Sequence, residues 1–446
     1  VTIARTPLAA FGVVLTTACA LLFLVALGAE SYGLIENPYV GILIFFALPA
    51  GFLLGLLLVL VGNLRGKTRG AETISWPTID LKNRGQRIFI MGLLAASLVN
   101  IVILSMAGVG AVHYMETPAF CGQVCHTVME PEYVAHAAGP HANVTCVSCH
   151  VGSGAGALVQ SKIDGTRRLV GFITGDITRP IPTPVPAMRP ARETCGTCHW
   201  PEKIHGDRLK MVKDYADDET SSETVTTLEL KVGGGSTTLG IGEGIHWHMH
   251  VSNRVEFIAL DAQRQDIPYV KLTTGDGTVR EFRKPGVTDE MLAKGTRRTM
   301  DCTDCHNRPS HAFAASAERA VNEALALGQV PRSLPFARRE LVKALKTEAV
   351  TKDEALAAIE SSLRGFYGSA EVTARPATAD VDRAVTVARG LYGANVFPQM
   401  KITWGSYRSE LGHTDSPGCF RCHDEEKATP DGHTISQDCE SCHRMR

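Results

Sequence analysis

Twelve of the chain's thirteen cysteines fall into six pairs, and each pair is followed immediately by a histidine. Five are strict C-x-x-C-H: Cys146/Cys149/His150, Cys195/Cys198/His199, Cys302/Cys305/His306, Cys419/Cys422/His423 and Cys439/Cys442/His443. The first pair, Cys121/Cys125/His126, is one residue wider, C-x-x-x-C-H. C-x-x-C-H is the pattern of covalent c-type haem attachment. Two thiols add to the porphyrin vinyl groups, and the adjacent imidazole reaches the iron from the same side, so the spacing spans one macrocycle edge. A zinc site does not need His directly after the second Cys every time. Disulfides do not select this pattern either, and a thioredoxin-like pair occurs once, in a βαβ setting. The pattern predicts six covalently bound haem c groups, with His126, His150, His199, His306, His423 and His443 as proximal ligands.

The odd cysteine, Cys19, belongs to a different kind of segment. Residues 6–29, 37–64 and 88–112 contain no charged side chain, and each run exceeds the ~20 apolar residues that cross a bilayer as a helix. Three in succession predict a transmembrane anchor over 1–112, with Cys19 a small buried residue. The link 64–87 carries Arg65, Lys67, Arg69, Lys82, Arg84 and Arg87 against Glu72 and Asp80, whereas 29–38 has only Glu30 and Glu36. The positive-inside rule then puts the N-terminus in the cytoplasm and everything after the third span in the periplasm of a bacterial inner (cytoplasmic) membrane. Ala26-Leu27-Gly28 would be tolerable as a signal cleavage site, but we read the first run as an uncleaved span. With 45 Lys+Arg against 46 Asp+Glu, the charge balance excludes nucleic acid as the main partner.

Ten histidines lie outside the motifs: His113, His136, His141, His205, His246, His248, His250, His311, His413 and His433. His413 and His433 each begin H-T-x-S-x-x-C-x-x-C-H, an internal repeat of the last two sites. His141, His205 and His311 lie five or six residues from a motif, and each is a candidate distal ligand to a nearby haem, not necessarily its own. His246, His248 and His250 follow the β-prone stretch 224–239; in a strand they would share a face. They could bind a separate metal, but one of them is expected to be a sixth iron ligand. His136 and His113 are evenly balanced between ligation and no role. No motif has Lys in place of His, and the spare His exceed the sixth positions. Electron transfer is therefore favoured over substrate reduction at an open iron.

These segments predict a membrane-anchored multihaem cytochrome c: three N-terminal helices, then a mostly α, loop-rich haem domain with a small β-hairpin insertion. The expected order is anchor 1–112, a di-haem region 113–178, and a Pro-rich connector with the third haem, 179–221. A β-rich insertion with the His cluster, 222–300, follows; then the fourth haem with a helical spacer, 301–395, and a C-terminal di-haem repeat, 396–446. Five prolines in 179–190 make that segment a semi-rigid extended link. Gly233-Gly234-Gly235 and Asp276-Gly277 are hairpin turn signals. Thr351 and Glu354 form a candidate capping box for a helix to about Leu363.

The stretch FCGQVCHTVMEPEY (120–133), then Gly139-Pro140-His141 and Cys146-Val147-Ser148-Cys149-His150, resembles the NapC/NirT/NrfH family of membrane-anchored quinol dehydrogenases. The resemblance covers roughly 110–170 well and the later motifs more loosely. It implies menaquinol oxidation beside the first haem, at the outer membrane–water interface, with electrons passed to periplasmic redox partners such as multihaem cytochromes. It further implies Met129 as an axial ligand, displaced by one residue, and Lys162 and Asp164 near the quinol. Familiar members have one span and four haems; three spans and six motifs resemble the larger inner-membrane cytochromes of bacteria that respire extracellular acceptors. The alternative is an electron-relay subunit of a larger respiratory or photosynthetic complex, with no quinol site of its own.

Overall fold

The computed structural model describes residues 6–31, 43–68, 81–124, 126–152, 154–185, 189–200, 206–236, 241–369, 371–372 and 374–446. The chain divides into two units, Val1–Met129 and Glu130–Arg446.

In the first unit, helices α1 (Pro7–Ser31), α2 (Leu48–Thr68, entered through a π-helical turn, Leu43–Ala47) and α3 (Arg84–Met115) are long and apolar enough to cross a membrane. Small residues let α1 and α2 approach closely. A Cβ on Gly12 would lie 2.6 Å from the Gly55 carbonyl oxygen, and one on Gly55 would collide with the Thr16 hydroxyl. Such packing drives helix association where no hydrophobic effect operates. Cys19 is buried, its sulfur beneath Gly51. Asn83 caps α3 by accepting from the Gly85 and Gln86 amides. At the other end of α3, Tyr114 packs against Phe120 with ring centroids 5.4 Å apart, and against Phe45 at 6.1 Å. Phe120 immediately precedes Cys121, so the first motif is joined to the helices through aromatic contact.

Helix α4 (His126–Ala138) starts on the first motif's His and runs across the boundary between the units. The second unit continues through α5 (Cys146–His150), α6 (Ala155–Thr174) and α7 (Ala191–Cys195). Three antiparallel sheets follow. Strands β1 (Arg208–Tyr215), β2 (Glu223–Leu230) and the C-terminal β9 (His443–Met445) form one, with Leu230 opposite His443. A short hairpin pairs β3 (Gly234–Ser236) with β4 (Ile241–Glu243). The third has the order β7-β6-β5-β8, from β5 (Arg254–Ala259), β6 (Tyr269–Thr273), β7 (Val279–Arg283) and β8 (Thr296–Thr299). Its apolar face, with Val255, Phe257, Val270 and Phe282, packs against Met300 and Cys422, so this sheet positions two motifs. Strand structure begins at Arg208, ahead of the expected start at 222. The Arg-Leu-Lys-Met-Val-Lys-Asp-Tyr strand is exposed over its first half and shows no clean alternation.

Beyond α8 (Asp289–Lys294) and α9 (Cys302–Cys305), a four-helix block comprises α10 (Ala317–Ala326), α11 (Ala337–Leu345), α12 (Lys352–Gly368) and α13 (Thr378–Asn395). Val321, Leu341, Leu345, Ile359, Leu363 and Val385 meet in its core. The Thr351/Glu354 capping box is formed in both directions, and α12 extends beyond Leu363 to Gly368.

Candidate haem sites

Within the strict motifs the backbone closes one tight turn. The His199 amide donates to the Cys195 carbonyl at 2.7 Å, His306 to Cys302 at 2.8 Å and His423 to Cys419 at 3.0 Å. Each turn therefore brings the His back beneath its two Cys, which is what attachment along one porphyrin edge requires. Among the described residues none of the cysteines forms a disulfide.

The motif cysteines are not equally enclosed. Cys146, Cys149, Cys195, Cys302, Cys305, Cys419, Cys422 and Cys442 are half-buried, but Cys198, expected to bind haem together with Cys195, is exposed, as is Cys439. At Cys198 the reason is local: its turn follows α7, a helix of five residues, and Thr197, His199 and Trp200 beside it are exposed as well. The Cys198 sulfur accepts a weak hydrogen bond from the Thr197 hydroxyl at 3.8 Å. Attachment at this pair is supported by the closed motif turn and by the ring that faces His199, not by burial.

Each of the five strict-motif histidines faces a second histidine ring from elsewhere in the chain. The centroid separations are 6.2 Å for His150–His311, 6.0 Å for His199–His141, 6.3 Å for His306–His246, 5.8 Å for His423–His248 and 6.1 Å for His443–His413. Two imidazoles bound to one metal at ~2 Å, each nitrogen ~1.1 Å from its ring centre, put the centroids roughly 6 Å apart. Stacked rings in direct contact would be much closer, as His413 is to Phe420 at 4.4 Å. The gaps fit one iron each.

The ring nitrogens agree. Nδ1 of His141 lies 3.1 Å from the Pro309 carbonyl, that of His246 3.1 Å from Val232, that of His248 2.7 Å from Ile245, and that of His311 3.0 Å from Glu132. On the motif side, Nδ1 of His423 lies 2.7 Å from the Ser436 carbonyl. Donation of one ring N–H to a backbone carbonyl fixes the tautomer and leaves Nε2 as the metal-binding atom. Burial holds the His150, His248, His306 and His311 rings below the usual imidazole range, so they are neutral, the form that ligates.

Residues 83–181 match the NapC/NirT cytochrome c family, N-terminal region. The chain is 37% identical to the cytochrome c-type protein ImcH of Geobacter sulfurreducens over 448 residues, covering 98% of this chain and 87% of that protein. The chain belongs to the NapC/NirT family of cytochromes c. It is a membrane-anchored multihaem c-type cytochrome of electron transfer, and its haem is covalently bound. No solved structure matches it.

The cytochrome places its remaining candidates differently. His136 is buried 6.0 Å from His311, but its Nε2 is 2.9 Å from the Val144 carbonyl. Since Nδ1 of His311 is engaged with Glu132, His311 has one nitrogen for one iron, and His150 is the motif ring facing it. His433 lies 3.4 Å from Asp431 with its side chain 69% exposed, while His248 covers the face of His423. His413, although it opens the fifth motif's repeat, faces the sixth motif's His443. His250 accepts a hydrogen bond from the Ser252 amide, and His113 sits in the last turn of α3. Segment 245–249, expected as a strand if β-structure continued, is a 3-10 turn, so His246 and His248 face different motifs. Among the described residues no cluster of three His, Cys, Asp or Glu forms a separate metal site. Cys125, the His126 side chain and His205 lie outside the described residues. Met129 is one turn after His126 on α4. Lys162 and Asp164 are on α6, where Asp164 accepts from Gln160 at 3.1 Å and pairs with Arg167 at 3.3 Å.

Consecutive motifs adjoin one another. Burial and then the Cys195 thiol push Cys149 up, and the neighbouring Cys302 thiol lowers Cys195. Burial and then Cys419 push the Cys305 thiol up to about 12, and the same pair of causes raises Cys442. The neighbours run in chain order from the second site to the sixth. Two charged groups that sequence reasoning passed over hold this row together: Asp304 and Arg421, each inside its own C-x-x-C. Arg421 donates to the Asp304 main-chain carbonyl, while the Asp304 carboxylate pairs with Arg264 and Arg298; a charged residue inside each C-x-x-C was the available signal.

Proposed function

We propose that this cytochrome is a six-haem quinol dehydrogenase of the bacterial inner membrane, taking electrons from menaquinol and delivering them to periplasmic redox partners. The observation that carries the reading is the set of five His–His gaps. With a ring on each side, those sites offer no open coordination position for a substrate, which favours electron transfer over reduction chemistry. Haem, when bound, supplies one-electron Fe(III)/Fe(II) chemistry at each site. The chain's part is to hold the sites in a continuous row, shield them, and bind the quinol.

The charge asymmetry of the loops supports a cytoplasmic N-terminus and a periplasmic haem domain. Placement of the donor rests on two features. Cys121 follows closely on Met115, the last residue of α3, so the first site is near the end of a span. Helix α6 leaves Val159, Ile163, Val170 and Ile173 exposed along one stripe, with Lys162 at its edge and Asp164, Arg167 and Arg168 away from it. That is the composition of a helix lying in a membrane interface, where a quinone headgroup also resides. Menaquinol oxidation to menaquinone releases two electrons, taken singly by the haem irons, and two protons released to the periplasmic water; Lys162 donates a hydrogen bond to a quinol oxygen, with Asp164 nearby on the same helix.

The test is anaerobic stopped-flow of the detergent-purified protein with a reduced menaquinone analogue, following the haem α-band. Rapid partial reduction, slowed at least tenfold by Lys162→Ala, is expected. Reduction by dithionite but not by quinol would instead identify a relay fed by a protein partner.

A further inference from the structure

Two of the five distal rings come from one short turn. Residues 245–249 form a single 3-10 turn between β4 and β5, with His246 facing His306 and His248 facing His423. The turn is pinned to the end of β2: the Ile245 amide donates to the Lys231 carbonyl at 2.8 Å and the His246 amide to Val232 at 3.0 Å. Gly244, at φ 76°, makes the close approach possible, since a Cβ there would lie 2.5 Å from the Lys231 oxygen. Asn253 holds the turn's far side through its donation to the Trp247 carbonyl at 3.0 Å.

The attachment loops of the same two sites are also tied together. Arg421, between Cys419 and Cys422, donates to the Asp304 carbonyl at 2.6 Å and to the Arg264 carbonyl at 3.1 Å, and pairs with Glu410 at 3.1 Å. Asp304, between Cys302 and Cys305, is paired with Arg264 at 2.8 Å. Arg421, Glu410 and Asp304 are all nearly solvent-free. Pulling the loops apart would leave the buried Arg421 guanidinium without this carbonyl acceptor, and an unsatisfied buried donor is costly, so this contact resists separation of the two loops.

We infer that His246 and His248 are the distal iron ligands of two different haems, those on Cys302/Cys305 and Cys419/Cys422, and that the turn and the Asp304–Arg421 contact bind these sites into one two-haem unit. This rests on the multihaem reading above and goes beyond it, because a single peptide turn sets the distal ligation of two irons. The ring planes make the members distinguishable. His246 and His306 are nearly parallel, at 3°, whereas His248 and His423 are nearly perpendicular, at 85°. Parallel axial imidazoles give a rhombic low-spin EPR spectrum and perpendicular ones the large-gmax type.

The experiment compares full-length, detergent-purified His246→Ala, His248→Ala, His433→Ala and Gly244→Ala with the parent protein, by covalent haem content and low-temperature EPR. Haem content is expected to stay constant, since the thioether bonds are untouched. His246→Ala should convert one rhombic low-spin haem to high spin, His248→Ala one large-gmax haem, and His433→Ala none. Gly244→Ala should perturb both signals together. Loss of a low-spin signal in His433→Ala but not in His248→Ala would overturn the shared turn while leaving the multihaem reading intact. Gly244→Ala altering only one signal would overturn the coupling. A parent protein lacking haem on these motifs would overturn the underlying reading instead.

Discussion

The helical block 317–396 and the haem-bearing loops are built on opposite principles. In the block, Val321, Leu341, Leu345, Ile359 and Leu363 are fully buried against one another, so its amphipathic helices close a core of their own side chains. Between residues 139 and 207, Ala191 is the sole fully buried hydrophobic residue among those described, and after Tyr407 there is none. Those segments carry two motifs each, and the two exposed motif cysteines, Cys198 and Cys439, lie in them. A loop without an aliphatic core cannot offset the entropy of ordering its backbone, so the apolar mass must come from what the motifs bind. The comparison teaches that the helical block closes an apolar core of its own, whereas the motif-bearing segments have almost none to close.

The largest test of that contrast is to make the chain with every motif Cys replaced by Ser. Hydrogen exchange should show 139–206 and 408–446 without protection while α10–α13 keep theirs; uniform loss of protection would break the comparison. Next is Glu132, which accepts from Arg308 at 2.9 Å with both side chains nearly buried, while Arg308 stacks 4.0 Å over Tyr407. Glu132→Ala strands that guanidinium and should cost about 3–5 kcal/mol. Because the Glu132 carboxylate also lies 3.3 Å from Nδ1 of His311, the cost should appear with a changed spectrum at the His150 site, read by thermal melts followed at the Soret band.

Leu341→Ala, in the block's core, should cost about 2–5 kcal/mol by far-UV circular dichroism and leave the haem spectra unchanged. The smallest effect concerns pH. Lys213, Arg332 and Tyr215 hold the Glu223 carboxyl down at about 2, so the folded β1–β2 hairpin sheds this proton more readily than the unfolded chain. Its contribution is complete above the ordinary carboxylate range and is lost as pH falls from about 5 toward 2. Glu223→Gln should flatten that limb of an acid titration.

The anchor was legible because membrane insertion depends on composition alone, and the Thr351/Glu354 cap because its chemistry spans three residues. The motifs were legible for the same reason: attachment is local. How far each motif is enclosed was not, since the exposure of Cys198 depends on which side chains the rest of the chain brings to its turn. The distal partners were hidden too. His141 and His199, or His246 and His306, are brought together by sheet pairing and by turns such as the one at Gly244, which no local spacing encodes. The repeat at His413 and His433 suggested two equivalent ligands. Tertiary packing separates them, giving His413 a partner at the last motif and leaving His433 in solvent. Strand β1 escaped notice because its charged and apolar residues follow no two-residue alternation of burial.

The most direct measurement is intact-mass and peptide mass spectrometry of the detergent-purified protein. The account predicts one haem on each of six motif peptides, including the wider Cys121/Cys125 pair and the exposed Cys195/Cys198 turn. Unmodified cysteines at any of the five strict motifs, where a second His ring stands ready across the gap, would contradict it.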